Sequence, residues 1–391
     1  MVTLHNIVLP ASPALLAFAV ATLLLLYVYL GYPFLLTLLA FFRRSRRYEP
    51  GYCPRITVLI AAFNEERHIG QKIAETLALE YPADSLDILV VSDGSTDRTD
   101  EIVQSLNHGR VRLLRVEGRR GKTHAQNEGV PHCSGEVIVF SDATATYHPK
   151  ALLYLACNYQ DPRVGAVSGR YQYFDPERSS PTGVGSVAFW NYENVIKKLQ
   201  SRISTLTGCS GCIYSVRKEL YTALPDTACS DLEEPLCIVR QHYRVVFEDR
   251  ALAYEETTKS ATEEFGMRVR VATRGMRGIL TARDLLTFWK YGWVSFQLLS
   301  HKILRWLVPC YLAVLLVSNG FLLDRPLFRS LFVLQLTFYL FAAISTFIPL
   351  HRRWRPLGMP LYFCTLNMAA LFGLFEILRG NRYVVWNTVR K

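Results

Sequence analysis

Positions 11–42 carry no charged residue, and the run AFAVATLLLLYVYLGYPFLLTLLAFF inside them exceeds the roughly 20 apolar residues that cross a bilayer core. The pattern predicts one long helix, tilted or kinked, with Gly31 and Pro33 at the bend. No Lys or Arg precedes it in the first ten residues and no small-residue cleavage site closes a short apolar core, which argues against a cleaved leader. Three more charge-free runs, at positions 306–323, 330–350 and 356–375, are each about one bilayer long. Positions 280–299 mix Trp289, Tyr291, Trp293 and Phe296 with Arg283 and Lys290, as in a helix lying at the interface. Between positions 53 and 247 the period changes, and short β-rich runs alternate with helical ones. Strands are predicted at 56–62, 87–92, 111–115, 136–141 and 164–168, with helices at 65–80, 98–106 and 123–129. This alternation predicts an α/β sheet built from right-handed crossovers.

The composition agrees with a chain that is part water-soluble and part membrane, since 50% of the 391 residues are hydrophobic and 20% are charged. An aromatic content of 12% excludes disorder. A net charge of +11 suits either nucleic acid or a membrane surface, so placement decides. Arg43, Arg44, Arg46 and Arg47 follow the first apolar run directly, and His351, Arg352, Arg353 and Arg355 precede the last. The basic residues therefore sit at membrane edges, and nucleic acid is not the expected partner. The positive-inside rule places the region from Arg43 to Trp306 in the cytoplasm. Strict alternation of spans would put Arg379, Arg382, Arg390 and Lys391 outside, against that rule, so either the last span is re-entrant or the rule is overridden there. Nine scattered cysteines, an odd number, fit reduced thiols better than a disulfide framework.

In open α/β sheets ligands bind beyond the carboxyl ends of the strands. Asn64 and Glu65 follow the first predicted strand, Asp93 stands in the SDGSTD turn after the second, and Asp142 ends the fourth. Each alone is an ordinary cap or turn former, but together they mark one edge. The turn Arg119-Arg120-Gly121-Lys122-Thr123 leads into a helix and suits a phosphate, held by backbone donors and the Lys122 ammonium; a solvated basic turn is the other reading. It lacks the glycine spacing of a Walker loop. A nucleotide diphosphate is the substrate class this edge suggests. Downstream, Gly208-Cys209-Ser210-Gly211-Cys212 is a tight glycine turn, and its CxxC spacing has no second pair to complete a zinc site. Asp231, in the acidic turn Ser230-Asp231-Leu232-Glu233-Glu234-Pro235, is either a helix cap or, with Glu233 and Glu234 nearby, a proton acceptor.

The motifs VLIAAFNEE, ILVVSDGSTD, GKTHAQN, VFSDAT, VGAVSGRYQY, YENVIKKLQSR, GCSGCIYSVRKEL, CSDLEEP and RVRVATRG, in this order, resemble the membrane-bound family 2 glycosyltransferases that include the synthases of cellulose, hyaluronan and poly-N-acetylglucosamine. The resemblance implies a GT-A fold, a Rossmann-like α/β nucleotide-diphospho-sugar transferase domain, with transmembrane helices at both ends. The expected divisions are 1–47 for the first helix, 48–275 for the cytoplasmic catalytic domain, 276–302 for interfacial helices and 303–391 for about three spans. It further implies an inverting transfer from a UDP-sugar to a lipid-linked or glycan acceptor, and leaves room for partner subunits that export the product.

By position, the resemblance makes Asp93 a contact of the uridine base, Lys122 a contact of the diphosphate, Asp142 the first residue of a DxD motif holding Mg2+ or Mn2+, and Asp231 the catalytic base. Asn64, Glu65, Arg270 and Arg274 are expected on the donor, and Gly208 and Gly211 at the acceptor. Thr144 stands where the second DxD aspartate is expected. Val271 and Gly275 replace the glutamine and tryptophan of QxxRW, and that tryptophan is the one processive synthases use at the acceptor end. A transporter with a regulatory domain is disfavoured by the few spans, none with paired ionisable residues at its centre. A nucleotide-sensing scaffold is disfavoured by the presence of Asp93, Asp142, Lys122 and Asp231.

Overall fold

The computed structural model describes residues 12–44, 47–174, 183–256, 260–348 and 355–384. Arg46, His351, Arg352, Arg353, Arg390 and Lys391, used above to argue topology, lie outside the described residues. The first apolar run forms one helix, α1 (Pro13–Phe41), which opens on Ser12, whose hydroxyl caps the Leu15 amide at 3.2 Å. The predicted bend at Gly31 is a π-helical turn over Tyr27–Gly31, which lets Pro33 enter without losing the helix.

Among the described residues eight strands form one sheet in the order β3-β2-β1-β4-β7-β6-β8-β5. They are β1 (Ile56–Ala62), β2 (Leu86–Asp93), β3 (Val111–Val116), β4 (Val137–Asp142), β5 (Thr146–Tyr147), β6 (Val164–Phe174), β7 (Ile213–Arg217) and β8 (Arg244–Glu256). The helices between them are α2 (Ile69–Leu77), α3 (Thr99–Ser105), α4 (Lys122–Gly129), α5 (Ala151–Cys157), α6 (Gly183–Ile203) and α7 (Ser230–Arg240). β1 pairs in parallel with β2 and β4, and β2 with β3, so their carboxyl ends share one edge. β1 and β2 are buried along their whole length, which is why they read as continuous apolar runs rather than alternating ones.

All five predicted strands are present, with the fifth running on to Phe174. The predicted helix at 65–80 is shorter, because Asn64 takes a left-handed φ of 55° and the chain turns before Ile69. Beyond β4 the sheet changes character: β7 runs antiparallel to β4 and β6, while β8 runs parallel to β6 with a register break at Gly169/Arg170. That break curls the sheet and carries the end of β8 over the cleft.

α8 (Ala261–Thr281) crosses position 275 without interruption and packs along α12 (Met359–Leu378). A Cβ at Gly373 would stand 3.1 Å from the Ala272 Cβ, so the two backbones meet closely there. The run predicted as a span at 306–323 is α10 (Val308–Gly320), 13 residues bent by 54° from α9 (Trp293–Trp306). At 1.5 Å per residue it is about 20 Å long, short of a core of about 30 Å. α1, α11 (Pro326–Phe347) and the segment Pro356–Leu378 are long and apolar enough to cross a membrane, and the bent pair would make a fourth.

A buried polar seam ties these helices to the sheet domain. Gln200 on α6 donates to the Tyr32 hydroxyl at 2.8 Å, and Glu193 pairs with Arg305 and lies 3.3 Å from His301. After α12 the chain returns to the domain, where the Val384 carbonyl lies 2.5 Å from where a Cβ at Gly121 would be.

Candidate active site

The edge at which β1, β2 and β4 end opens into a cleft of about 290 Å³, roofed by α8 and lined by Glu65, Lys122, Asp142, Asp231, Glu255, Arg270 and Arg274 among others. Each arrives by its own local logic. Asp142 ends β4, and the Lys122 ammonium, at the start of α4, pairs with it and donates to the Gly211 carbonyl at 3.1 Å. Burial alone would lower the lysine's pKa, but the Asp142 carboxylate, with a weaker contribution from Asp231, raises it above the ordinary range.

The turn before α4 is fixed from β2. Asp93 is fully buried and accepts from the Arg120 and Gly121 amides at 2.9 and 2.8 Å. Gly121 has a φ of 104°, a conformation that strains any residue with a Cβ. Asn64 ties the turns after β1 and β2, since its side-chain oxygen accepts from the Thr96 amide at 2.8 Å. Asp93 and Asn64 therefore hold the rim rather than line the cleft.

Asp231 opens α7 beside the glycine turn. Its backbone carbonyl accepts from the Cys209 amide at 2.7 Å, and its Oδ1 accepts from the Cys229 thiol at 3.1 Å. A Cβ on Gly211 would lie 3.0 Å from Oδ2, so only glycine leaves this carboxylate uncrowded. Of the three acids in this turn, Asp231 alone lines the cleft. Glu233 accepts from the Cys229 amide at 3.0 Å as a cap, and Glu234 is fully buried, its pKa pushed up to about 8 by burial. Gly208 touches the side chain of Leu232 and the ammonium of Lys302 rather than the cleft.

On α8, Arg270 and Arg274 stand one turn apart on the cleft face. Arg274 donates to the Thr123 hydroxyl at 3.1 Å and to the Ala228 carbonyl, leaving its buried Nε without a partner among the described residues. Burial, then the charge of Arg274, lowers the Arg270 pKa. Among the described residues no three His, Cys, Asp or Glu side chains cluster as a complete metal cage. One or two carboxylates completed by a ligand's phosphates is the usual mode for Mg2+, and Asp142 in the cleft suits it.

The Glycosyl transferase family 2 model matches residues 57–224, which hold the whole parallel half of the sheet and the Gly208–Cys212 turn. The chain carries a family 2 glycosyltransferase domain.

It is 27% identical over 285 residues to a poly-β-1,6-N-acetyl-D-glucosamine synthase of Staphylococcus epidermidis, covering 68% of this chain and 66% of that protein. The chain thus spans just under two thirds of the length of this relative. A probable glycosyltransferase of Bacillus subtilis, YdaM, is 28% identical over 221 residues, 52% of this chain and 51% of its own. Among solved structures, a mannosyltransferase from Pyrobaculum calidifontis in complex with GDP-Man and Mn2+ superposes with a TM-score of 0.69 at 22% identity, covering 92% of this chain and 99% of that one. The family 2 domain thus has the GT-A-like fold, a curled mixed α/β sheet, that its motifs implied.

The glycosyltransferase domain also has site residues that its motifs did not flag. Glu255, near the end of β8, accepts from the Thr144 hydroxyl at 2.8 Å and from the Tyr171 hydroxyl. It brings a carboxylate to the residue that stands in place of the second DxD aspartate. Tyr171, Tyr173 and Trp190 form an aromatic wall of the same cleft, with Tyr171 and Trp190 edge-on at 4.7 Å. The VGAVSGRYQY run contained both tyrosines, and the alternation of β6 was the signal that placed them on one face.

Proposed function

We propose that this chain is an inverting glycosyltransferase that moves a sugar from a nucleotide-sugar, a UDP-sugar first, to a lipid-linked or glycan acceptor at a membrane face. The observation that carries this reading is the placing of Asp231. It is the acid of its turn that lines the cleft, next to a lysine–aspartate pair able to meet a diphosphate.

In the proposed step an acceptor hydroxyl oxygen attacks the anomeric carbon and its proton passes to Asp231. The bond from that carbon to the diphosphate oxygen breaks, and the electron pair leaves with the nucleoside diphosphate. In-line displacement inverts the centre, so an α-linked donor gives a β-linkage. Lys122, Arg270 and Arg274 supply positive charge where the leaving group becomes more negative. A divalent ion, Mg2+ or Mn2+, held by Asp142 and the donor's phosphates, would add Lewis-acid stabilisation of the same charge.

The cytoplasmic placing of the domain rests on Arg43, Arg44 and Arg47 after α1. The return of Val384 to Gly121 puts the tail on the catalytic side, so an even number of crossings separates domain and tail. The bent pair of α9 and α10 is then the element that does not cross, since α10 is about 20 Å long, while α11 and the segment Pro356–Leu378 are each long enough to cross. That reading keeps Arg379 and Arg382 on the same side as Arg43.

The test is transfer by the purified full-length protein from a panel of radiolabelled UDP- and GDP-sugars, with products sized and treated with linkage-specific glycosidases. Formation of a β-linked product from a UDP-sugar is expected. Hydrolysis and transfer absent with every donor would overturn the reading.

A further inference from the structure

A second cavity, of about 340 Å³, adjoins the cleft and lies between α1, α6, α8, α9 and α12. Its walls are aromatic and aliphatic, with Phe189, Tyr362 and Leu366 prominent, and the exceptions are two arginines, Arg268 and Arg305, and Asn367. Its size is that of ordinary ligand pockets, which run from roughly 300 to 1,000 Å³. Arg268 and Val271 line both this cavity and the catalytic cleft, so the two meet at one turn of α8.

Arg268 is the unusual group. Its side chain is 9% exposed, its Nε donates to Glu264 at 2.7 Å, and its Nη2 is buried without a hydrogen-bond partner among the described residues. A guanidinium nitrogen buried and unmet is costly and would be relieved by an anion. The Arg268 and Arg305 guanidinium groups lie 5.7 and 4.9 Å from the Phe189 ring, and Glu193 already pairs with Arg305. An apolar chamber with one unmet guanidinium nitrogen, Arg268 Nη2, beside the Arg268–Glu264 pair at its junction with the cleft, fits a molecule with an anionic head and a long apolar tail.

We propose that this cavity is the acceptor's entry site and holds an amphiphile with a phosphate head, the head on Arg268 and the hydrocarbon chain along Leu366 and Tyr362. This rests on the transferase reading above and names the acceptor class for it. A planar guanidinium is well suited to phosphate oxygens. The phosphate belongs either to a lipid phosphate that is itself glycosylated or to the linkage of a lipid-borne sugar whose hydroxyl reaches Asp231.

The test uses full-length protein in phosphatidylcholine nanodiscs, with radiolabelled dodecyl phosphate as the probe. Dodecanol and inorganic phosphate are expected to compete at least tenfold more weakly than unlabelled dodecyl phosphate. Leu366→Trp, which fills the chamber away from the cleft, should weaken dodecyl phosphate at least tenfold with UDP affinity unchanged. Arg268→Gln should abolish the preference for dodecyl phosphate over dodecanol, with melting temperature recorded to confirm folding. Equal binding of dodecanol, equal competition by inorganic phosphate, or no effect of Leu366→Trp overturns the proposal. Incubation with UDP-sugar labelled in its sugar and unlabelled lipids then separates the sources: transfer of label to dodecyl phosphate marks a lipid-phosphate acceptor, and transfer to an added dodecyl diphosphate sugar alone marks a glycolipid. UDP binding on the same sample reports on the transferase reading independently, since loss of it would sink that reading while leaving the lipid result in place.

Discussion

Strands β3, β2, β1 and β4 run parallel and deliver their chemistry from short turns directly after each strand, whereas β7, β6, β8 and α8 deliver theirs from distant segments folded over the same edge. Lys122, Asp142 and the rim residues Asn64 and Asp93 belong to the first half; Asp231, Glu255, Arg270 and Arg274 belong to the second. In the proposed function the parallel half receives the diphosphate, and it fixes itself through backbone bonds, as when Asp93 holds the turn that presents Lys122. The curled half surrounds the place where a second substrate would react. On this division, damage to the first half should show in donor affinity and damage to the second in turnover.

The sharpest way to break that division is Asp231→Asn, which keeps the shape but cannot take a proton at neutral pH. Turnover should fall by about 10²–10⁴-fold, with donor affinity nearly unchanged in calorimetry. Retained activity would leave Asp231 as an acid of the first turn of α7 with no part in the reaction. Asp142→Ala should do the reverse. With Mg2+ or Mn2+ present, donor affinity should drop by about 10- to 100-fold, the worth of a charge-assisted contact. In chelator, the same variant should bind no worse than wild type, because Lys122 is freed from its carboxylate partner.

A smaller effect is expected from Gly211→Ala, whose new methyl group would press on Asp231 Oδ2 from 3.0 Å. About tenfold loss of turnover with unchanged donor affinity is the expected kinetic signature of a displaced reacting group. The smallest effect concerns stability alone. Burial holds the Glu234 pKa up at about 8 against an ordinary 4.5. The folded chain therefore keeps a proton that the unfolded chain releases, and stability falls as pH rises from about 4.5 to about 8. Glu234→Gln should raise the melting temperature by a few degrees at pH 8 and by less at pH 6, with turnover unaffected.

The same division governed what could be read from the sequence. β1, β2 and β4 are apolar runs that stop at acidic turns, so period and punctuation marked both the strand and the edge. What those turns could not reveal is which way a carboxylate faces. Asp93 and Asn64 spend their oxygens on backbone amides, and Asp142 does not, although all three look alike as strand-end residues. In the curled half the signal was weaker. β8 reads RVVFEDRALAYEE, a charged run without clean alternation, because it lies partly at the cleft and is interrupted by a register break. Glu255 reaches Thr144 beside the β5–β8 pairing, a contact no local pattern encodes. α8 looked like the end of the domain at position 275, yet it continues to Thr281 because its far face is covered by α12, which begins only at Met359.

The contact between Val384 and Gly121 also has a bearing on biosynthesis. Protein chains emerge amino terminus first and their domains fold as they appear. The turn around Gly121 is thus made long before the segment that covers it, and it stays uncovered until α9 to α12 have been inserted and the chain has doubled back. This late packing event falls on the turn proposed to meet the donor, so the donor turn is covered only once the membrane region is in place. A product that stalls during insertion keeps its sheet and its acids but lacks that closing contact.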